Sequence, residues 1–520
     1  MASLRVIGQH LASGLSHTKQ LRQRDQNLLS KGGCIDVVGT GGTLTAAYEQ
    51  LRNAAENSEE HLLLQNAIKR FYRQILLSGD DKLLADSGNE LIIELTQAGY
   101  VPNNSLRKAQ SDELTATAVS YAKLYDKLKR QRAVSDIVAL RWVVEVLGVE
   151  IAGIVQPRYE DEVFVEFAYE YFLSIIPASS FEKTDDFGAA LFVAIHRALL
   201  KSDMAGIRTQ LLRRYGVRPQ QTELFLQYNR RIDTLIESSV VDRLYHTIDR
   251  QGAPLRVLER MIATDDNIPE LLGKRSAFLS AFEQQVDQEY SRISTRINRA
   301  VVRSVIFLII TKVLLGVAVE VPYDLMVHGS VIWLPLAINL LFPPMYMILL
   351  RSTLVMPGRT NTTALVERAD AMLYGGNKIT LSKVEIGQKR YSMVFSTVYG
   401  IASIIILALV SWMLVALQFS FVHIIIFVIF ISAASFLSFR LGHLVRELEL
   451  VRSRSNGVTM VRDFIYLPFV IIGQWMSDKY SKLNVITIML DVMIEMPLKT
   501  ILRLFRQWNA FIDERKDDLL

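Results

Sequence analysis

Apolar positions along this chain follow two regimes. Up to about residue 300 they recur every three or four residues on a polar background, the spacing of one helix face. Leu44, Tyr48, Leu51 and Ala55 share such a face, as do Leu64, Ile68, Phe71 and Ile75. Between the two sets lies NSEEH, where Ser58 is a fitting N-cap, and Gly79 closes the second helix. The same spacing predicts helices over 82–98, 112–131, 134–154, 158–176, 185–215 with a break, and 219–250. Strand-type alternation bounded by turns is missing and successive helices share no fixed period, so an all-α domain over 1–273 is expected rather than a solenoid.

From Val305 onward the apolar runs lose their polar face. Four of them reach the roughly 20 residues that a helix needs to cross a bilayer: 304–321, 331–350, 394–417 and 421–439. They predict two transmembrane hairpins, 304–350 and 394–439, separated by a loop over 351–393. Pro335, Pro343 and Pro344 should bend or break the second span. Trp333 and Trp412 lie near span ends, where amphipathic rings prefer the interface. Lys274 to Leu315 contains neither Gly nor Pro, so one helix of about 63 Å can run from a connecting segment (274–303) into the first span. Its stripe is Phe278, Phe282, Val286, Tyr290, Ile293, Ile297 and Val301. The alternative is a break near Ser304 at the membrane surface.

Charge sets the direction. Arg299 and Arg303 precede the first span, Arg351, Lys389 and Arg390 lie in the loop over 351–393, and Arg440 follows the fourth span. VPYDLMVHGS and the QFS link carry no Lys or Arg. The basic flanks predict both termini in the cytoplasm, in an inner or plasma membrane or, as the alternative, an organellar one. The tail, 440–520, reads as cytoplasmic or interfacial. FIYLPFVIIGQW (464–475) is too short to cross, and 484–511 leads into an amphipathic stripe of Ile501, Phe505, Trp508 and Ile512, flanked by Arg503 and Arg506, suited to the membrane surface. The basic, serine-bearing amino terminus reads as an amphipathic helix in preference to a transit peptide.

Overall composition narrows the function classes. A net charge of +5 over 520 residues is small, and no basic run with interleaved aromatics argues for nucleic acid. A lone cysteine, Cys34, leaves no intramolecular disulfide and no Cys-based zinc site. No H-E-x-x-H, E-x-x-H, G-x-S-x-G or kinase signature occurs, and no metal or cofactor is expected.

The stretch CIDVVGTGGTLTAAYEQLR resembles a phosphate loop, but Gly39, Gly41 and Gly42 lack the third glycine of the dinucleotide pattern. Thr40-Gly41-Gly42-Thr43 is similar to the TGGT of L-asparaginases, which implies a threonine nucleophile. The resemblance covers four residues, and the partner motif HGTDT is missing. Without a base, Thr40 and Thr43 are not nucleophiles; Thr43 reads as a helix N-cap.

Lys312 is the stronger candidate. It falls near the middle of the first span, where an ionisable group needs a partner or water. Glu320 is eight residues on, about 12 Å along a helix, which argues against a bridge within one helix and for a partner elsewhere, Asn339 being one choice. Asp324 is placed in the external loop, and His423 as a packed or interfacial residue. Glu162, Glu166 and Glu170, beside Asp161, read as a solvated acidic face. Asn361 matches a glycosylation sequon but is expected to cap a helix. The chain is therefore expected to be a multi-pass membrane protein with a lipid bilayer and a protein partner or second copy as its partners. A non-enzymatic scaffold is the first expectation, an ion or solute path through Lys312 and Glu320 the second, and a Thr40/Thr43 hydrolase the third.

Overall fold

The structure is a computed structural model and describes residues 4–37, 49, 52–53, 60–176, 186–375, 393–451 and 457–483. Among these residues every regular element is helical, and the one extended pairing is an isolated bridge between Cys34 and Arg107. The described residues form two compact units, His10–Ile248 and residues 4–9 with Asp249–Leu483. The division falls before the connecting segment predicted at 274, so residues 249–273 belong with the apolar helices.

In chain order the helices are α1 (Val6–Ser30), α2 (Glu60–Ser78), α3 (Asp81–Ala85), α4 (Ser87–Gln97), α5 (Lys108–Gln131), α6 (Asp136–Val155), α7 (Tyr159–Ile175), α8 (Phe187–Leu200), α9 (Met204–Arg214), α10 (Thr222–Ile236) and α11 (Ser239–Gln251). The central helix of this first unit is α6. Its N-terminus is fixed by Ser135, whose Oγ accepts from the Val138 amide at 3.4 Å. Trp142, Val143, Leu147 and Ile151 are buried, each contributing roughly 1.5–3 kcal/mol through apolar burial, and α2, α5 and α9 pack around it. A buried guanidinium ties α6, α9 and α10 together. Arg208 donates to Glu145 Oε2 at 2.7 Å, Asn229 Oδ1 at 2.8 Å and Asp233 Oδ1 at 2.5 Å.

The acidic face of α7 is exposed but not left to solvent. Glu162 pairs with Arg213 and Glu166 with Arg214, each at 3.1 Å, and Glu170 with His10 at 3.3 Å. Alpha-helical spacing places the carboxylates in a row, and the adjacent arginines of α9 meet that row.

The second unit continues with α12 (Ala253–Thr264), α13 (Ile268–Leu272), α14 (Arg275–His328), α15 (Trp333–Ser352), α16 (Arg359–Leu373), α17 (Met393–Ala416), α18 (Phe421–Arg446) and α19 (Gly457–Leu483). No break occurs near Ser304: α14 is α-helical over Arg275–Leu315, makes a π-turn over Gly316–Glu320, and resumes over Val321–His328. Phe278, Phe282, Val286, Ile297 and Val301 of its stripe are buried. Around its first half, Arg275 makes a two-pronged bond to Asp370 of α16, both contacts at 2.6 Å. Asn361 does not cap α16. It sits inside the first turn, donates to Tyr290 Oη and Leu448 O, and accepts from the amides of Leu450 and Val451. A side-chain amide that satisfies a distant segment is needed there because those backbone groups lie outside any helix.

Among the described residues, four helices are long and apolar enough to cross a membrane: Arg275–His328, Trp333–Ser352, Thr397–Ala416 and Phe421–Arg446. Pro343 and Pro344 lie inside α15 without ending it. Residues 464–475 do not stand alone as a short apolar patch; they belong to the 27-residue α19, with Pro468 inside it. The approach of α19 to α18 is close. A Cβ placed on Gly473 would meet Ser432 O at 2.4 Å and Phe436 Cβ at 2.7 Å, so only glycine permits this crossing, the usual device where apolar helices touch backbone to backbone.

Candidate functional site

The apolar helices enclose a cluster of ionisable side chains. Lys312 is 2% exposed, and Glu320, Asp324, Asn339 and His423 have no accessible surface. Lys312 Nζ donates to Glu320 Oε1 at 2.5 Å. The sequence expectation that these two could not bridge within one helix is therefore incorrect, and the π-turn is the reason. At about 100° per residue, eight residues of straight α-helix leave the second side chain about 80° off the face of the first. One extra residue absorbed in a π-turn brings the pair to the equivalent of seven residues, about 20° apart. Pro322 accounts for the turn's position: it lacks an N–H, and apolar helices accommodate such a proline by a local π adjustment.

Because the helix runs on through Pro322, Asp324 is not in an external loop. It is buried, and its Oδ2 accepts from the Ile332 amide at 3.1 Å, closing the turn between α14 and α15. Asn339 of α15 donates from Nδ2 to Glu320 Oε2 and to His423 O, both at 3.3 Å. That one amide joins α14, α15 and α18. His423 sits in the first turn of α18, its Nδ1 held by Ser420 Oγ at 2.8 Å. Its Nε2 lies 3.6 Å from Asp324 Oδ2 and 3.8 Å from Glu320 Oε2, beyond hydrogen-bond reach. The rings of Tyr323 and Phe419 stand edge-on to the imidazole. Below Lys312, Phe430 presents its ring face 4.9 Å from Nζ, a cation–π contact that strengthens as water is excluded.

Three buried polar atoms here have no hydrogen-bond partner among the described residues: Asp324 Oδ1, Asn339 Oδ1 and His423 Nε2. Such atoms are costly inside apolar surroundings. Sequence reasoning singled out Lys312, Glu320 and Asn339 and missed Asp324 and His423 as members. The π-turn carried Asp324 onto this face, and a periodicity of 3.6 gives no warning of that shift.

The other residues singled out in the sequence lie apart from the cluster. Arg299, Arg303 and Arg440 are exposed, and Arg351 donates to Asn298 Oδ1 at 2.9 Å. Thr40 and Thr43, Lys389 and Arg390, and the tail residues Arg503, Arg506 and Trp508 lie outside the described residues. Among the described residues no group of three or more His, Cys, Asp or Glu side chains is arranged to hold a metal ion. Compared with known proteins, the chain matches no protein-family model, no curated protein and no solved structure.

Proposed function

We propose that this protein is a multi-pass integral membrane protein with both termini in the cytoplasm, and that it acts as a membrane-anchored scaffold rather than an enzyme. The membrane reading is carried by Thr397–Ala416. That span has a mean hydropathy of 2.4, and only 6% of it is buried. Ile404, Ile405, Leu409 and Trp412 point outward. Water does not tolerate a continuous apolar surface of this size on a monomer; lipid does.

The scaffold reading follows from where binding surface is available. The connections between paired spans, 329–332 and 417–420, are too short to recognise a macromolecule. The helices of His10–Ile248 offer the larger polar surface, and a protein partner or a second copy of the chain is what such a surface would engage. An ion or solute path through Lys312 and Glu320 is the second reading. Against it, Glu320, Asp324, Asn339 and His423 have no surface open to water.

Cysteine-accessibility mapping tests the arrangement. Cys34, the sole native thiol, and Arg359→Cys should react with a membrane-impermeant maleimide from one side. Met326→Cys, 87% exposed near the α14–α15 turn, should react from the other in a Cys34→Ser background. Arg359→Cys reacting from the side opposite Cys34 would overturn the topology.

A further inference from the structure

Among the described residues, the buried cluster is one positive charge short. Lys312 supplies a single ammonium against the carboxylates of Glu320 and Asp324, and a neutral His423 of either tautomer leaves one negative charge inside an apolar bundle. Uncompensated charge in such a place is costly. The ionisable groups also form a line. His328 Nδ1 lies 3.7 Å from Asp324 Oδ1, Asp324 Oδ2 lies 3.6 Å from His423 Nε2, and His423 Nε2 lies 3.8 Å from Glu320 Oε2. Glu320 Oε1 then meets Lys312 Nζ at 2.5 Å. Two of the three unpartnered atoms, Asp324 Oδ1 and His423 Nε2, are the ones that face across these gaps.

We propose that His328, Asp324, His423 and Glu320 form a one-sided proton line, through which the buried cluster binds a single proton from the face bearing the 329–332 turn. The outer end is His328, whose side chain is 37% exposed. The inner end is Lys312, sixteen residues back along α14, about 24 Å of helix in a hydrocarbon layer about 30 Å thick. A proton entering at His328 moves to Asp324 and comes to rest on His423, whose charged ring then faces both carboxylates. The cluster becomes neutral, and the proton lost by the solvent is the one gained by the imidazole.

Other groups facing this imidazole are Asn339 from α15, Ser420 at the start of α18, and the rings of Tyr323 and Phe419. Among the described residues, the line stops past Lys312. Phe430, Leu308, Met347, Ala434, Val301 and Ile297 fill the space with apolar packing. A line with one open end binds a proton and does not conduct it, which makes the membrane unit a reporter of pH on one face.

This inference rests on the membrane reading above, and the two can fail separately. The full-length chain is incorporated into lipid nanodiscs, with recovery of the protein in the lipid-bearing fraction testing the membrane reading alone. Histidine-labelled protein is then titrated between about pH 5 and 8 by nitrogen NMR. The expected result is uptake of one proton by a resonance that disappears in His423→Gln and stays neutral in Asp324→Asn, unchanged when sodium salt replaces potassium. His328→Gln, removing the outermost carrier of the line, should slow uptake after a pH jump by roughly a hundredfold, as loss of a positioned proton carrier does. A His423 that stays neutral throughout, uptake that depends on the alkali cation, or an unchanged rate in His328→Gln would each overturn the proposal.

Discussion

Lys312→Met isolates the energetics of the buried pair. Met fills nearly the same volume, so packing changes little, but Glu320 loses its 2.5 Å partner and keeps one long bond from Asn339 at 3.3 Å. Removing one member of a buried ion pair costs about 3–5 kcal/mol. There is also a ceiling: a stranded carboxylate can take up a proton, and holding an ordinary carboxyl neutral at pH 7 costs about 4 kcal/mol. The expected loss is therefore about 3–4 kcal/mol, read as a shift in the unfolding midpoint of the full chain in mixed detergent and SDS micelles, followed by tryptophan fluorescence. Glu320→Gln alone should cost less, since its amide oxygen still accepts from Lys312 Nζ and the Asp324 carboxylate still balances the ammonium. The double variant should recover most of the Lys312→Met loss, giving a coupling energy of at least about 2 kcal/mol. Single effects that add to within about 0.5 kcal/mol in the double variant would refute the pairing across the π-turn.

Further predictions concern both units. Burial holds the imidazole of His196 down to about 4 from its ordinary 6.5, so it stays neutral in the fold while the unfolded chain takes up a proton. Its contribution is complete above pH 6.5 and is lost as pH falls toward 4, roughly 3 kcal/mol in all; His196→Asn should flatten that acid limb in urea unfolding. Arg208→Met strands Glu145 partly buried, while Asp233 keeps Arg141 and the Trp142 indole, and should cost about 3 kcal/mol, measured the same way. Gly473→Ala forces α18 and α19 apart against Ser432 O and should lower stability by about 1–3 kcal/mol, read as a lower unfolding midpoint in detergent. Cross-linking of intact membranes through Lys123, Lys127 and Lys129, exposed along α5, should trap a discrete adduct with a partner or second copy; recovery of monomer alone would count against the scaffold.

Much of the architecture was legible because its signals are additive. Twenty apolar residues cannot be mistaken for a surface helix, and the absence of Gly and Pro over Lys274–Leu315 allowed an unbroken α14 up to that point, beside the alternative of a break near Ser304. Lys312 stood out because an ammonium among Ile, Leu and Val has few tolerable surroundings. What could not be read was phase. Pro322 looks like a stop, and from sequence alone it ended the first span at 321. In the fold it is absorbed by a π-turn that keeps the helix going and rotates Glu320 and Asp324 onto the face of Lys312. A proline following a glycine-led apolar run, with carboxylates on either side, was the available signal. Asn361 was misjudged for a different reason: its partners lie some ninety residues downstream, and local sequence holds no record of them. His423 looked unremarkable beside Phe and Ile neighbours, since nothing in its own segment announces two carboxylates from another helix.

The unbroken course of α14 has a mechanical meaning. At 54 residues it is a shaft about 80 Å long, and an α-helix resists torsion, so its ends cannot turn independently. Its one compliant collar is the π-turn. Were the extra residue there to be expelled, everything beyond it would swing by about 100°, carrying Asp324 and His328 out of line with His423 while Phe278 and Arg275 stay clamped at the other end. The place where this rod is easiest to twist is also the place where its charges meet.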